Sequence, residues 1–285
     1  PGYTSGVIHD LQHLADQVHH DDTRIRARTF AARVGLSIAL RIHPTTGRWA
    51  GPHSRAYQPT VVCENRPEID RVTAWIADGT LPAWVGDALK GRPEPFEITE
   101  TAISGEVALT TCHSPSFALG VSTRENSGQS DALMVHAHRP GQDRPGVLYS
   151  RYLTNDKWLG DFYHATDRTK SRNLMEEGRF YGVQEGNRAI GLYAPDSLGV
   201  IKSAKAAFIF TGRDRIDEIW IGNRRIDTLP ADIPPGQVAV IANGDALIAV
   251  RPLTRTDLGR NGPIRLIETQ GDLVLEIYTY LGPEK

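Results

Sequence analysis

Four side chains able to move protons or hold anions crowd positions 53–57. His53, Ser54, Arg55 and Tyr57 sit in the stretch Gly47-Arg48-Trp49-Ala50-Gly51-Pro52-His53-Ser54-Arg55-Ala56-Tyr57. Gly47, Gly51 and Pro52 fix an irregular loop, an element that carries function out of proportion to its length. An imidazole acts as acid or base near neutral pH, a guanidinium grips a carboxylate through two parallel hydrogen bonds, and a phenol shuttles a proton once a cation acidifies it. The competing use of these residues is a helix-ending loop in which Trp49 and Tyr57 pack and Arg55 pairs with a local acid.

A second concentration runs from Tyr149 to Asn173, an interval without obvious strand alternation that gathers Tyr, Trp, His, Asp and Arg. Long loops on β-folds are usually functional or disordered, and the aromatics Trp158, Phe162 and Tyr163 argue against disorder. Here Trp158 and Tyr163 can stack on a sugar face and His164 can exchange a proton. Arg168, Lys170 and Arg172 can hold anionic groups. A crossover between sheets with packed aromatics and a solvated charge run is the bland alternative.

Other signals are weaker. His9 and His13 form an i, i+4 pair near His19, His20, Asp21 and Asp22, yet no HExxH is present, so a polar helix face is expected and no metal site is assigned. His136 and His138 alternate on one predicted strand, and His113 follows Cys112. Tyr278-Thr279-Tyr280 reads as cross-strand aromatic packing. GxSxG, a Walker loop and GxGxxG after a strand are all absent, which leaves serine-hydrolase and nucleotide templates without support and no cofactor implied. Cys63 and Cys112 form neither a disulfide framework nor a metal knuckle.

The elements that must position these groups fall into two textures. Over 285 residues the chain is 40% hydrophobic and 23% charged, enough to build a real core. Its net charge of -2 removes the overall basic field of a nucleic-acid binder. No apolar run approaches the roughly 18 residues of a membrane-spanning helix, so no membrane partner is expected. Residues 1–92 read as helical: Ile25, Phe30, Val34, Ile38 and Ile42 recur around the small strip Ala27, Ala31, Gly35 and Ala39, a second helix runs from Pro67 to Gly79, and a third covers Ala83 to Leu89. After Pro93 about a dozen short β-branched and aromatic stretches follow, with hairpin chemistry at Glu185-Gly186-Asn187, Asn243-Gly244-Asp245 and Gln270-Gly271-Asp272. The expected fold is therefore α+β: a short helical region over 1–92 and a large antiparallel β-sandwich over 93–285.

Helices, then Gly51-Pro52-His53-Ser54-Arg55-Ala56-Tyr57, then an all-β part with the pair Tyr163-His164: this order resembles the heparinase II/III-like polysaccharide lyases. The resemblance implies a partial α/α toroid beside the sandwich, with a cleft between them. It also implies proton transfer by His53, Tyr57, Tyr163 and His164, and contacts to an acidic saccharide from Arg55, Trp158, Arg168 and Arg172. Three or four helices fall short of a full toroid, so an upstream helical segment or a partner chain is implied as well.

Elimination beside a carboxylate needs a group that neutralises the carboxylate, a base for the acidified proton and an acid for the leaving oxygen, which Arg, Tyr and His supply without a metal. A hydrolase would instead use paired carboxylates, for which Asp156, Asp161 and Asp167 are candidates. A glycan-binding sandwich that turns nothing over is a third reading, and a scaffold acting on a small non-sugar molecule is a fourth.

Overall fold

The computed structural model describes residues 2–55, 57–90, 92–102, 105–125, 130–155, 178–197, 199, 201–253 and 262–282. Four α-helices come first: α1 (Gly2–Gln17), α2 (Asp21–Arg41), α3 (Gln58–Val61) and α4 (Glu68–Ala77), followed by a 3-10 turn over Ala83–Leu89. Asp21 and Asp22 place negative charge at the start of α2, where the helix dipole favours it. At its other end Arg92 donates to the carbonyls of Leu40 (2.7 Å) and Ile42 (2.6 Å), which the last turn leaves open.

The buried face of α2 differs from the expected one. Ala27, Ala31, Gly35 and Ala39 are buried with Ile38, whereas Ile25 and Phe30 are exposed. Small residues let α1 and the 3-10 turn approach closely, and Gly35 sits so near Leu81 that an added Cβ would lie 2.6 Å from its methyls. The large side chains therefore point away from the contact. Ile8, Ile38, Ile42, Val72, Trp75, Leu81 and Val85 close a compact helical core.

Every described element after residue 95 is a strand or a short turn. The strands are β1 (Phe96–Ala102), β2 (Val107–His113), β3 (Phe117–Ser122), β4 (Leu133–Ala137), β5 (Gly146–Thr154), β6 (Gly178–Glu185), β7 (Arg188–Pro195) and β8 (Ser203–Phe210). They continue with β9 (Glu218–Ile221), β10 (Arg224–Arg225), β11 (Ala231–Asp232), β12 (Ala239–Asn243), β13 (Ala246–Val250), β14 (Ile264–Thr269) and β15 (Asp272–Leu281). A nine-stranded sheet has the order β1-β2-β3-β4-β5-β8-β15-β14-β11, a four-stranded sheet β10-β9-β12-β13, and β6 and β7 form a separate hairpin. All pairings are antiparallel. The three expected hairpins are present. In the last, Gln270 and Gly271 both take positive φ (52° and 82°), as a two-residue connection with matching twist requires.

Period-two alternation gives the large sheet two different faces. Leu119, Leu133, Val135, Leu148, Tyr152, Phe210 and Leu275 pack against Ile219, Ile221, Ala239 and Ile241 of the small sheet, a sandwich-like core that the hairpin extends with Phe180 and Tyr193. The opposite face carries Met134, Val147, Tyr149, Leu153, Ala207, Ile209 and Val274, and Val61 and Cys63 of the helical region cover it. The 47–57 loop lies against this second face.

Candidate functional site

The loop after α2 lies flat on the large sheet because the sheet leaves room for it. Gly120 on β3 has no side chain beneath Gly51, and a Cβ there would stand 1.8 Å from the Gly51 carbonyl. That carbonyl instead accepts a hydrogen bond from Thr111 Oγ1 at 2.8 Å. Two residues on, His53 forms an isolated antiparallel bridge with Asp131: its amide donates to the Asp131 carbonyl (2.9 Å), and the Asp131 amide donates back (2.8 Å). Upstream, buried Arg48 donates to the carbonyls of Asn65 (2.6 Å) and Cys63 (3.0 Å), locking the loop to the connection between α3 and α4.

His53 is buried, and the Trp49 ring stands edge-on to it at 6.0 Å. Burial pushes its pKa well below the ordinary histidine value, so the ring is neutral at neutral pH. Its Nε2 has no hydrogen-bond partner among the described residues. A neutral imidazole with that nitrogen open can accept a proton or donate one, depending on its tautomer. On the same loop Arg55 is exposed and Tyr57 is half-buried.

Asp131 leads to the sheet's charged end. Its carboxylate lies 3.9 Å from the guanidinium of Arg151 on β5, both fully buried. Arg151 Nη1 also donates to the Ser130 carbonyl (3.1 Å), and the guanidinium sits 5.3 Å from the Tyr149 ring centre. Strand register then sets a row across four strands: Arg151 opposite Ala207, Ala207 opposite Glu276, and Glu276 opposite Arg265. Glu276 is buried, receiving Lys205 Nζ (2.8 Å) on one oxygen and Arg265 Nε (2.8 Å) on the other. One carboxylate thus serves two cations and offsets part of their positive field. The apolar face therefore becomes ionic toward the end where β5 finishes.

The interval from Tyr149 begins inside a strand: the β-branched and aromatic stretch Val147 to Leu153 predicts one, and β5 covers Gly146–Thr154, buried along its whole length. Residues 156–173 of that interval, with Trp158, Tyr163, His164, Arg168 and Arg172 and the carboxylates Asp156, Asp161 and Asp167, lie outside the described residues. Of the residues proposed from sequence, the structure describes His53, Arg55 and Tyr57. It adds Asp131, Arg151, Lys205 and Glu276, which were missed. The available signal was a lone charge at a core-facing position of an apolar strand, as in Ala204-Lys205-Ala206 and Leu275-Glu276-Ile277.

Three further histidines have other partners. His9 packs edge-on to Trp75 at 5.6 Å, His138 pairs with Asp245 (2.6 Å), and His136 Nε2 is 3.5 Å from the Cys63 sulfur. Burial pushes the Cys63 thiol up to about 12, which removes it as a nucleophile. Among the described residues no cluster of three or more metal-ligating side chains occurs, and no helix is long and apolar enough to cross a membrane. A cavity of about 90 Å³ opens at the seam where Leu89, Arg92 and Phe96 meet His113. It lies on β1 and β2, three strands from Arg151, and no phenol lines it. No family model matches the chain, and neither a curated protein nor a solved structure is significantly similar to it.

Proposed function

We propose that the chain cleaves an acidic, uronate-containing saccharide by β-elimination, at the place where the 47–57 loop meets the charged end of the large sheet. One observation carries the reading: a buried neutral His53 whose Nε2 has no hydrogen-bond partner among the described residues, held by backbone pairing to Asp131, whose carboxylate faces Arg151. Buried ionisable groups gathered at a junction of two structural regions are where chemistry is expected. The segment with Tyr163 and His164 follows directly from β5, the strand that carries Arg151.

In this reaction Arg55 or Arg168 neutralises the substrate carboxylate and so acidifies the neighbouring C–H. A phenol from Tyr57 or Tyr163 works as base or acid, while His53 and His164 polarise or shuttle the proton. The C–H electron pair forms the new double bond, the glycosidic C–O bond breaks, and the leaving oxygen is protonated. Trp158 and Arg172 serve substrate binding.

The variants His53→Ala, Tyr163→Phe and His164→Ala test it, each verified as folded by circular dichroism. Loss of a true proton-transfer group lowers turnover by roughly a hundred- to ten-thousand-fold. Near wild-type turnover in all three sinks the proposal. New reducing ends without ultraviolet-absorbing unsaturated product, lost in Asp161→Asn or Asp167→Asn, mean a hydrolase. Saturable binding without either product means a binding module.

A further inference from the structure

Tyr278 stands beside two cations. On β15 it pairs in register with Lys205, whose Nζ donates to the phenol oxygen at 3.2 Å while also holding Glu276 at 2.8 Å. Arg265, one strand over, shares Glu276 and interacts electrostatically with the phenol. Among the described residues, Lys205 on β8, Glu276 on β15 and Arg265 on β14 are charged groups that face Tyr278 from the packed strands, with Asp232 of β11 paired beyond Arg265. Two cations flank one carboxylate, an arrangement that favours a phenolate over a neutral phenol. The strand is also irregular at this point: its register shifts between Tyr278 and Tyr280, and Thr279 turns to the opposite face to meet the Tyr152 hydroxyl at 2.8 Å. Bulges of this kind re-aim side chains and gather next to active sites. Tyr278 itself is half-buried, while its ammonium partner Lys205 is fully buried.

We propose that Tyr278, held as phenolate by Lys205, is the proton acceptor of the charged end of the sheet. The proposal rests on the elimination reading above and names its base. The C–H proton passes to the phenolate oxygen, the C–H electron pair becomes the new double bond, and the glycosidic C–O bond breaks toward its oxygen, which takes a proton from water. Lys205 is a positioning residue acting through the phenol.

Two measurements test it. In the ultraviolet difference titration of wild type against Tyr278→Phe, the phenolate band should appear at least one pH unit below that of N-acetyltyrosinamide, and Lys205→Met should move it upward. A band at or above the free amide's position overturns the proposal. On an acidic saccharide that wild type cleaves, Tyr278→Phe should lose a hundredfold or more in turnover. If Tyr278→Phe keeps wild-type turnover while Tyr163→Phe loses it, the base is Tyr163: this inference falls and the elimination reading stands. The titration needs no turnover, so an early phenolate band in a chain that cleaves no acidic saccharide sinks the elimination reading and Tyr278's role as its proton acceptor, and leaves only the ionised state of Tyr278 standing.

Discussion

Lys205, Glu276 and Arg151 are buried charges on strands of the large sheet, and Asp131 is a fourth beside it. Desolvating charges is expensive, and removing one partner leaves the others uncompensated. Glu276→Gln strips Lys205 and Arg265 of a common counter-ion, and a loss of about 3–5 kcal/mol is expected in urea unfolding. A change within a few tenths of a kcal/mol would show that these ions are solvated in the folded protein. Single residues of this type were hard to read from sequence. A lone charge among apolar neighbours fits the polar phase of a half-exposed strand as well as a buried site, and only the layer on top distinguishes them. His53 was legible because four reactive side chain types crowd one loop, whereas its partner Asp131 is 78 positions away and has no local signature.

Strands and turns followed from local rules, since β-branched runs closed by Gly-containing hairpins have few alternative conformations. The helical region was less legible: α2 buries its alanines and exposes Ile25 and Phe30, because close approach to α1 and the 3-10 turn selects small residues over large ones. The sharpest element-scale constraint is the contact of the 47–57 loop with β3. Gly120→Ala drives a methyl into the Gly51 carbonyl, which is backbone and cannot rotate aside. A stability loss of about 1–3 kcal/mol is expected, as for other overpacked sites, together with slower turnover as His53 is displaced. Unchanged thermal stability in Gly120→Ala would mean that the loop does not rest on β3. Polar ties at the end of α2 hold the layer in place: Arg41 joins Ser37 on Glu100 of β1, and His43 Nε2 bonds the Ser114 carbonyl at 2.7 Å.

At the scale of the whole molecule, four buried histidines lie between the helical layer and the large sheet. Burial lowers the pKa of His43 and His53, and takes His113 and His136 down to about 3. In the unfolded chain each titrates near 6.5. A folded pKa below the unfolded one means the unfolded state binds protons first, so their contribution is whole above about pH 6.5 and is lost as pH falls toward 3. Each histidine lowers stability by up to about 1.4 kcal/mol per pH unit in that window. The urea midpoint should therefore be flat from pH 7 to 8 and fall steeply from pH 6 to 4, less steeply in His136→Gln; a midpoint independent of pH over that range would contradict the buried neutral state. The central claim concerns the same layer, where His53 meets the charged end of the sheet. Its most direct test is the ultraviolet absorbance of unsaturated uronate, followed while wild type and His53→Ala act in parallel on uronate-containing polysaccharides. A steady rise is expected with wild type and a rate at least about a hundredfold lower with a folded His53→Ala; equal rates, or cleavage without that absorbance, would rule out elimination through His53.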